Sequence, residues 1–437
     1  LKPGTRPKGG ESKRRADNFD NLKIVSNFDI RISNFYSLQG EEFDMKEAVI
    51  VAACRTAVGK APRGILKDTR PEAMGCAVLG DLIKRAGDLD PNLIDDVIIG
   101  CTFPEATQGL NLGRVLVMSM GWPDRIPGMT VNRFCSSGLQ AIAIGAEKIM
   151  CGFSEVIIAG GVESMSQIPM GGSMMYPNPA LVDVRPGAFT GMGLTAENVA
   201  ERFNIGRDEQ DEFGAKSQQK AEAAIKAGRF KSQIVPMKVK KQKPLPNGRF
   251  EFEEILFDTD EGMRPGTTKE NISQIPPAFK PTGTVTAGNS SQMSDGAAGV
   301  VLMSKEKAKE LGLKPMATFR YHVAEGCEPE YMGVGPSVAI PKVLKVANMS
   351  LNQMELIELN EAFAAQAIYC IRELGINEEI TNVNGGAVAL GHPLGCTGAK
   401  LTTQLVYEME ERNLRWGLVS MCIGFGMGAA GIFEREV

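Results

Sequence analysis

Three reactive side chains stand far apart in this chain, each among small residues. Cys135 lies in NRFCSSGLQ, His392 in GGAVALGHPLGCTGA and Cys422 in SMCIGFGMGAAG. A thiol becomes a nucleophile once a base or a local positive field removes its proton. A β-like approach, IPGMTVN, leads to Cys135, and Leu139, Ile142, Ala146 and Ile149 follow at helical spacing. The thiol is therefore expected at a helix N-terminus, where free N–H groups and the positive dipole end favour a thiolate. His392 is the candidate base. Gly385, Gly386, Gly391, Gly395 and Gly398 surround it, and Pro393 suits the first turn of a following helix. A histidine at a helix start favours the neutral imidazole, which accepts a thiol proton. Cys422, between a strand and a Gly-rich turn, offers a second thiol as acid or base, and the Gly424 N–H offers a donor to an oxyanion. Asn360, in IELNEAFAAQA, ends a strand-like run. It suits either a helix cap or a side chain that orients a water or polarises a carbonyl. Each of these residues alone also suits a plainer role, as a packed cysteine or a turn residue. Jointly they point to cysteine-based acyl transfer.

The elements that must position them alternate. The apolar runs EAVIVAA, DDVIIGC, SEVIIAGG, GAAGVVLMS, RWGLVSMCI and AAGIFE read as strands, with helices such as EAMGCAVLGDLIKRAG between them. That alternation predicts an α/β fold with a mainly parallel sheet. The segment TVNRFCSSGLQAIAIGAEKI leading to EVIIAGG parallels NVNGGAVALGHPLGCTGAK leading to WGLVSMCIGFG. Two related halves of this kind place Cys135 and His392 at equivalent helix starts, each after a Val-Asn strand end. Residues 165–285 break the pattern. They begin rich in Met, Gly and Pro, continue through two amphipathic helices in MGLTAENVAERFNIGRDEQDEFGAKSQQKAEAAIKAGRF, and end in a hairpin with Asn247-Gly248 at its turn. We expect this stretch to be an insertion that covers the site. The first half then comprises residues 45–164 and 286–312, and the second residues 313–437. AGNSSQMSDGAAG, at 287–299, is a Gly/Ser-rich loop that offers hydroxyls and N–H groups to a polar ligand, or simply a turn.

The chain has 437 residues, 43% of them hydrophobic and 23% charged, with a net charge of −4. That balance suits a globular protein and gives no basis for a nucleic-acid partner. No apolar run reaches the roughly 18 residues that span a bilayer. The nine cysteines lack metal-ligand spacing, and two histidines, His322 and His392, are too few for a multi-histidine metal site. Reduced thiols fit a cytoplasmic location. The first 44 residues differ from the rest, being polar, charged and turn-rich. We expect Met45 to be the native start and residues 1–44 to be a non-native or disordered extension. The competing reading is a targeting sequence, but Glu11, Asp17 and Asp20 argue against a transit peptide. Arg31-Ile32 begins like an N-terminal peroxisomal signal whose later residues do not match.

Taken in order, NRFCSSGLQ, GGVESMS, MGLTAENVA, TAGNSSQMSDGAA, NEAFAAQA, GGAVALGHPLGCTGA and CIGFGMG resemble the thiolase family from Met45 to the end of the chain. The resemblance implies two related α/β halves in α-β-α-β-α layers, a loop domain inserted in the first, and a homodimer or homotetramer. It implies that Cys135 accepts the acyl group, that His392 activates it, and that Cys422 protonates or deprotonates the acetyl-CoA methyl carbon. Asn360, through a water, would form one oxyanion hole with His392, and the N–H groups of Cys135 and Gly424 the other. Ser291 would meet the pantetheine arm, and Arg264, Phe279 and Phe363 would line the CoA and acyl sites. Coenzyme A enters as a substrate, with no metal or redox cofactor. NR-x-CSSGLQ and PEATQGLNLGR look more like the degradative type, acting on 3-ketoacyl-CoA, than the biosynthetic acetoacetyl-CoA type. Ketoacyl synthases, which pair one cysteine with two histidines, fit less well. A non-catalytic scaffold relative is expected to lack one of the three reactive residues.

Overall fold

The computed structural model describes residues 45–245, 247 and 249–437. The expected extension at 1–44, and Gly248 of the hairpin turn, lie outside the described residues. From Ala48 the chain runs β1 (Ala48–Thr56), α1 (Pro71–Arg85), β2 (Asp96–Gly100), α2 (Leu112–Ser119), β3 (Gly128–Val131), α3 (Ser137–Met150) and β4 (Val156–Ser164). The segment that follows holds α4 (Met192–Arg202), α5 (Arg207–Lys226) and the antiparallel hairpin β5 (Met237–Pro244) and β6 (Phe250–Phe257). The chain then returns in β7 (Ser294–Ser304), which pairs with both β1 and β4. The remainder is β8 (Ala317–Gly326), α6 (Gly335–Ala347), β9 (Leu356–Leu359), α7 (Ala364–Leu374), α8 (Leu394–Glu411), β10 (Trp416–Ile423) and β11 (Met427–Glu434). No helix among the described residues is long and apolar enough to cross a membrane.

The strands lie in the order β9-β10-β11-β8-β1-β7-β4-β2-β3. The two halves meet where β1 and β8 pair over a short register, Val49 opposite Thr318 and Ile50 opposite Ala317. β1, β4 and β7 are buried at every residue, which is why they read as continuous apolar runs instead of alternating ones. The expectation of a mainly parallel sheet fails. β2–β3, β2–β4 and β9–β10 run parallel, as does the two-residue strand Ile234–Val235 beside β1, whereas β1–β7, β4–β7, β1–β8, β8–β11 and β10–β11 are antiparallel. The reason lies in the connections. β10 turns into β11 within three residues, and a tight turn joins antiparallel neighbours only. The Val-Asn strand end expected before His392 is also missing. There the chain makes one isolated bridge, Thr381 with Ile357.

Three buried clusters mark the helix layers. Met74, Leu79 and Leu116 of α1 and α2 pack on one outer face, and Ile340, Val343 and Ala367 of α6 and α7 on the other. α3 and α8 pack together, and their Leu139, Ile142, Ala399 and Leu405 share a third cluster with Ile157 of β4 and Val419 of β10. A helix covered on every side must be slim where it crosses another. A Cβ on Gly138 would stand 2.7 Å from the Ala399 nitrogen, and one on Gly398 2.3 Å from the Leu139 nitrogen. These glycines let the first turns of α3 and α8 cross in contact. Cys135 precedes one helix and His392 the other, so the crossing brings them together.

Candidate active site

Cys135 sits in a single 3₁₀ turn, Phe134–Ser136, directly before α3. Ser137 braces that turn, its hydroxyl donating to the Phe134 carbonyl at 2.6 Å and accepting from the Arg133 N–H at 2.9 Å. The helix start is as expected, but its consequence is not. Burial pushes the Cys135 thiol up to about 11, opposed by the N–H groups of Gly424 and of Cys135 itself and reinforced by the nearby Glu163 carboxylate. The expected resting thiolate is therefore corrected to a resting thiol, because loss of solvation outweighs the amide field.

His392 is fixed from two sides. Its backbone N–H donates to the Gln292 carbonyl and the Ser294 hydroxyl, both at 3.1 Å, so the Gly/Ser-rich loop holds the histidine main chain. Its Nδ1 lies 2.6 Å from the Thr397 hydroxyl, which itself donates to the Pro393 carbonyl at 2.9 Å. A hydroxyl has one proton to give, so it accepts from His392, and Nδ1 carries the hydrogen. That leaves Nε2 as an acceptor. Burial, with Lys400 further along α8, pushes the imidazole down to about 3, so it is neutral at rest. The imidazole is neutral, as expected, but burial sets its charge and Thr397 its tautomer. Pro393 stands at the cap, one place before the first helical residue.

Asn360 is fully buried at the end of β9, and its amide nitrogen lies 3.4 Å from His392 Nε2. It caps nothing: the next helix starts at Ala364 with Phe363 at its cap. Its Oδ1 has no hydrogen-bond partner among the described residues. Cys422 occupies the penultimate position of β10, fully buried, in an apolar cluster with Phe363, Met332 and Ala362. Burial raises its thiol well above the usual range, and the proximity of Cys135 raises it further.

Two cavities meet at Cys135. The larger, about 680 Å³, is lined by Cys135, His392, Ser291, Arg264, Phe279 and Phe363. It thus gathers the candidate nucleophile, the candidate base and every residue expected to touch coenzyme A. The second, about 510 Å³, contains Cys135, Gly424, Phe134, Phe425, Phe189 and several methionines. Asn360 and Cys422 lie behind these walls. Sequence reasoning missed Thr397 and Glu163. The Glu163 carboxylate is fully buried and accepts from the Thr102 N–H at 2.8 Å, Gln108 at 2.9 Å and the Gly395 N–H at 2.7 Å, tying β4 to the start of α8. A carboxylate inside the apolar run VIIAGGVES was the available signal.

Residues 48–306 match the family model for the thiolase N-terminal domain, and residues 313–435 that for the thiolase C-terminal domain. The chain is 53% identical over 390 residues to a 3-ketoacyl-CoA thiolase of Bacillus subtilis, covering 89% of this chain and 100% of the relative. It is 45% identical over 393 residues to the peroxisomal 3-ketoacyl-CoA thiolase 1 of Arabidopsis thaliana, covering 89% and 88%. Among solved structures, the Bacillus anthracis acetyl-CoA acetyltransferase superposes with a TM-score of 0.81 at 40% identity, over 90% of this chain and all of that one.

Proposed function

Because the chain belongs to the thiolase family, we propose that it is an acyl-CoA:acetyl-CoA C-acyltransferase that cleaves 3-ketoacyl-CoA with coenzyme A in the degradative direction. The observation that carries this reading is the position of Cys135 at the junction of two cavities, one of which also holds His392 and Ser291.

In the proposed reaction His392 Nε2 takes the thiol proton as the Cys135 sulfur attacks the C3 carbonyl carbon. The N–H groups of Cys135 and Gly424 receive the oxyanion that forms. The C2–C3 bond breaks, its electron pair passes to C2, and the acetyl-CoA enolate takes a proton from Cys422. The enolate oxygen is held by the newly formed Nε2–H of His392 and by Asn360 through a water. The C3 oxyanion has by then collapsed to the acyl-cysteine carbonyl and acetyl-CoA leaves; coenzyme A enters in its place and gives its thiol proton to the Cys422 thiolate. Its sulfur attacks the acyl-cysteine, and Cys135 leaves and recovers its proton from His392. A high resting thiol and a neutral imidazole suit this cycle, since charge is created only when a substrate oxygen shares it.

Ser291 is assigned to the pantetheine arm, and Arg264, Phe279 and Phe363 to the CoA and acyl walls. Residues 45–164 with 286–312, and 313–437, are assigned as the two halves, and 165–285 as the inserted loop domain. Among the described residues the short terminal strand β3 has a strand on one side only, which supports pairing between copies in a homodimer or homotetramer. Nine free cysteines support a cytoplasmic location. The likeness to an acetyl-CoA acetyltransferase of known structure favours a second reading, the same chemistry run toward acetoacetyl-CoA. A thiolysis assay across acetoacetyl-, 3-ketohexanoyl- and 3-ketohexadecanoyl-CoA separates the two. Higher kcat/KM on the longer chains supports the degradative reading, turnover of acetoacetyl-CoA alone supports the second, and no turnover of any rejects both.

A further inference from the structure

Two phenylalanines flank the two backbone N–H groups at Cys135, and both hold a backbone conformation that side chains disfavour. Phe134 precedes Cys135 with φ of 44°, and Phe425 follows Gly424 with φ of 63°. Left-handed backbone is costly for any residue with a Cβ, and least expected of a bulky one. A glycine would adopt either position freely. A phenylalanine serving only to fill the core would sit buried at ordinary φ, yet Phe425 is 40% exposed.

The rings supply what the backbone lacks. Phe134 and Phe425 stack with centroids 5.3 Å apart and planes within 12°, and Phe189 meets Phe425 edge-on at 5.6 Å and 84°. Both are favourable aromatic geometries. The stack joins two turns remote in sequence, one carrying the Cys135 N–H and the other the Gly424 N–H. All three rings also line the cavity of about 510 Å³ that includes Cys135 but not Ser291 or Arg264, together with Met170, Met174 and Met192.

Resting on the thiolase reading, we propose that Phe134 and Phe425 are positioning and specificity-determining residues: their stacked rings hold the Cys135 and Gly424 N–H groups convergent on the acyl oxygen, and the same rings form the wall on which the acyl tail packs. An acetyl group is too short to run along that wall. A longer tail covers it and gains about fourfold in kcat/KM for each methylene fully removed from water. The methionines of the same cavity, unbranched and adaptable, allow tails of different lengths.

The test compares the full wild-type chain with Phe425→Gly, Phe425→Tyr, Phe134→Leu and the Phe425→Gly/Phe134→Leu double variant. Each is assayed for kcat and KM on acetoacetyl-CoA and 3-ketohexadecanoyl-CoA, with KM for coenzyme A and the unfolding temperature measured alongside. Phe425→Gly should lower kcat on acetoacetyl-CoA roughly tenfold as the donors lose aim. It should cut the long-chain preference by a further large factor and leave KM for coenzyme A unchanged. Glycine relieves the left-handed backbone while the stack is lost, so Tm should stay close to wild type. Phe425→Tyr should remain within about twofold of wild type, because a ring is kept. The double variant should be no worse than the more impaired single one, since both remove the same interaction. Phe425→Gly activity within twofold of wild type on both substrates would overturn the proposal. So would an equal loss on both substrates that tracks a fall in Tm, or fully additive single losses. A wild-type chain inactive on both substrates would overturn the thiolase reading and the pair with it, whereas an active wild type with unaffected variants overturns the pair alone.

Discussion

Cys135 and Cys422 are the same side chain in two different surroundings. Cys135 lies on a tight turn at the mouth of two cavities, with two amide N–H groups working against its burial. Cys422 lies inside a strand, walled by Phe363, Met332 and Ala362. Both are held as thiols by burial, Cys135 at about 11 and Cys422 well above the usual thiol range. On the proposed mechanism, the difference gives one functional group two tasks. The thiol with amide donors nearby can become a nucleophile when a base takes its proton, and the thiol in a dry apolar pocket is suited to hold a proton until a carbanion needs it.

The most severe way to break the comparison is to replace the nucleophile. Cys135→Ser should lower thiolysis by roughly a thousandfold or more, while coenzyme A binding, read by calorimetry, survives. Near-normal turnover would remove Cys135 from the mechanism. Cys422→Ser should cost about a hundredfold or more in turnover. It should still let acetyl-CoA acylate Cys135, seen by intact mass, but abolish deuterium exchange at the acetyl methyl. Persistent exchange would mean that another group handles the carbon-bound proton.

Thr397→Val sharpens the comparison by releasing His392 Nδ1 without touching either sulfur. A drop of about tenfold in kcat is expected, with KM for coenzyme A little changed. A variant as fast as wild type would show that the imidazole needs no partner. The alkylation rate of Cys135 by iodoacetamide in the free enzyme should keep climbing with pH toward about 11, with Cys422 spared because it is buried. A plateau in the neutral range would reveal a resting thiolate.

The smallest effect concerns stability. Burial holds His322 down to about 4 and His392 to about 3, against an ordinary value of 6.5. Between those limits the unfolded chain binds more protons than the folded one. The stability held by the two neutral rings is therefore fully present above about 6.5 and is lost as pH falls toward 4 and then 3. Tm should fall between pH 7 and pH 5, and His322→Gln should flatten that slope. Equal slopes would place the acid sensitivity elsewhere.

Much of the site was legible because short segments carry local signals. Cys135 before an apolar helix and His392 among glycines are readable from neighbours in the chain, and so are the two helices Met192–Arg202 and Arg207–Lys226. Asn360 was read with two possible roles, and the helix start at Ala364, with Phe363 at its cap, removed the cap while the fold placed Asn360 beside His392. The Phe134–Phe425 stack joins residues nearly three hundred positions apart, and no periodicity in either segment announces it.

By itself, then, the sequence determined which segments become strand, turn or helix, and which reactive atoms stand at their ends, because backbone preference and side-chain periodicity act over a few residues. Tertiary structure alone decided the rest. It set the antiparallel sense of most ladders, the crossing at Gly138 and Gly398 that brings Cys135 to His392, the tautomer imposed by Thr397, and the protonation of both sulfurs. Those outcomes depend on which distant surfaces exclude water and which donors converge, and desolvation is a property of the packed whole.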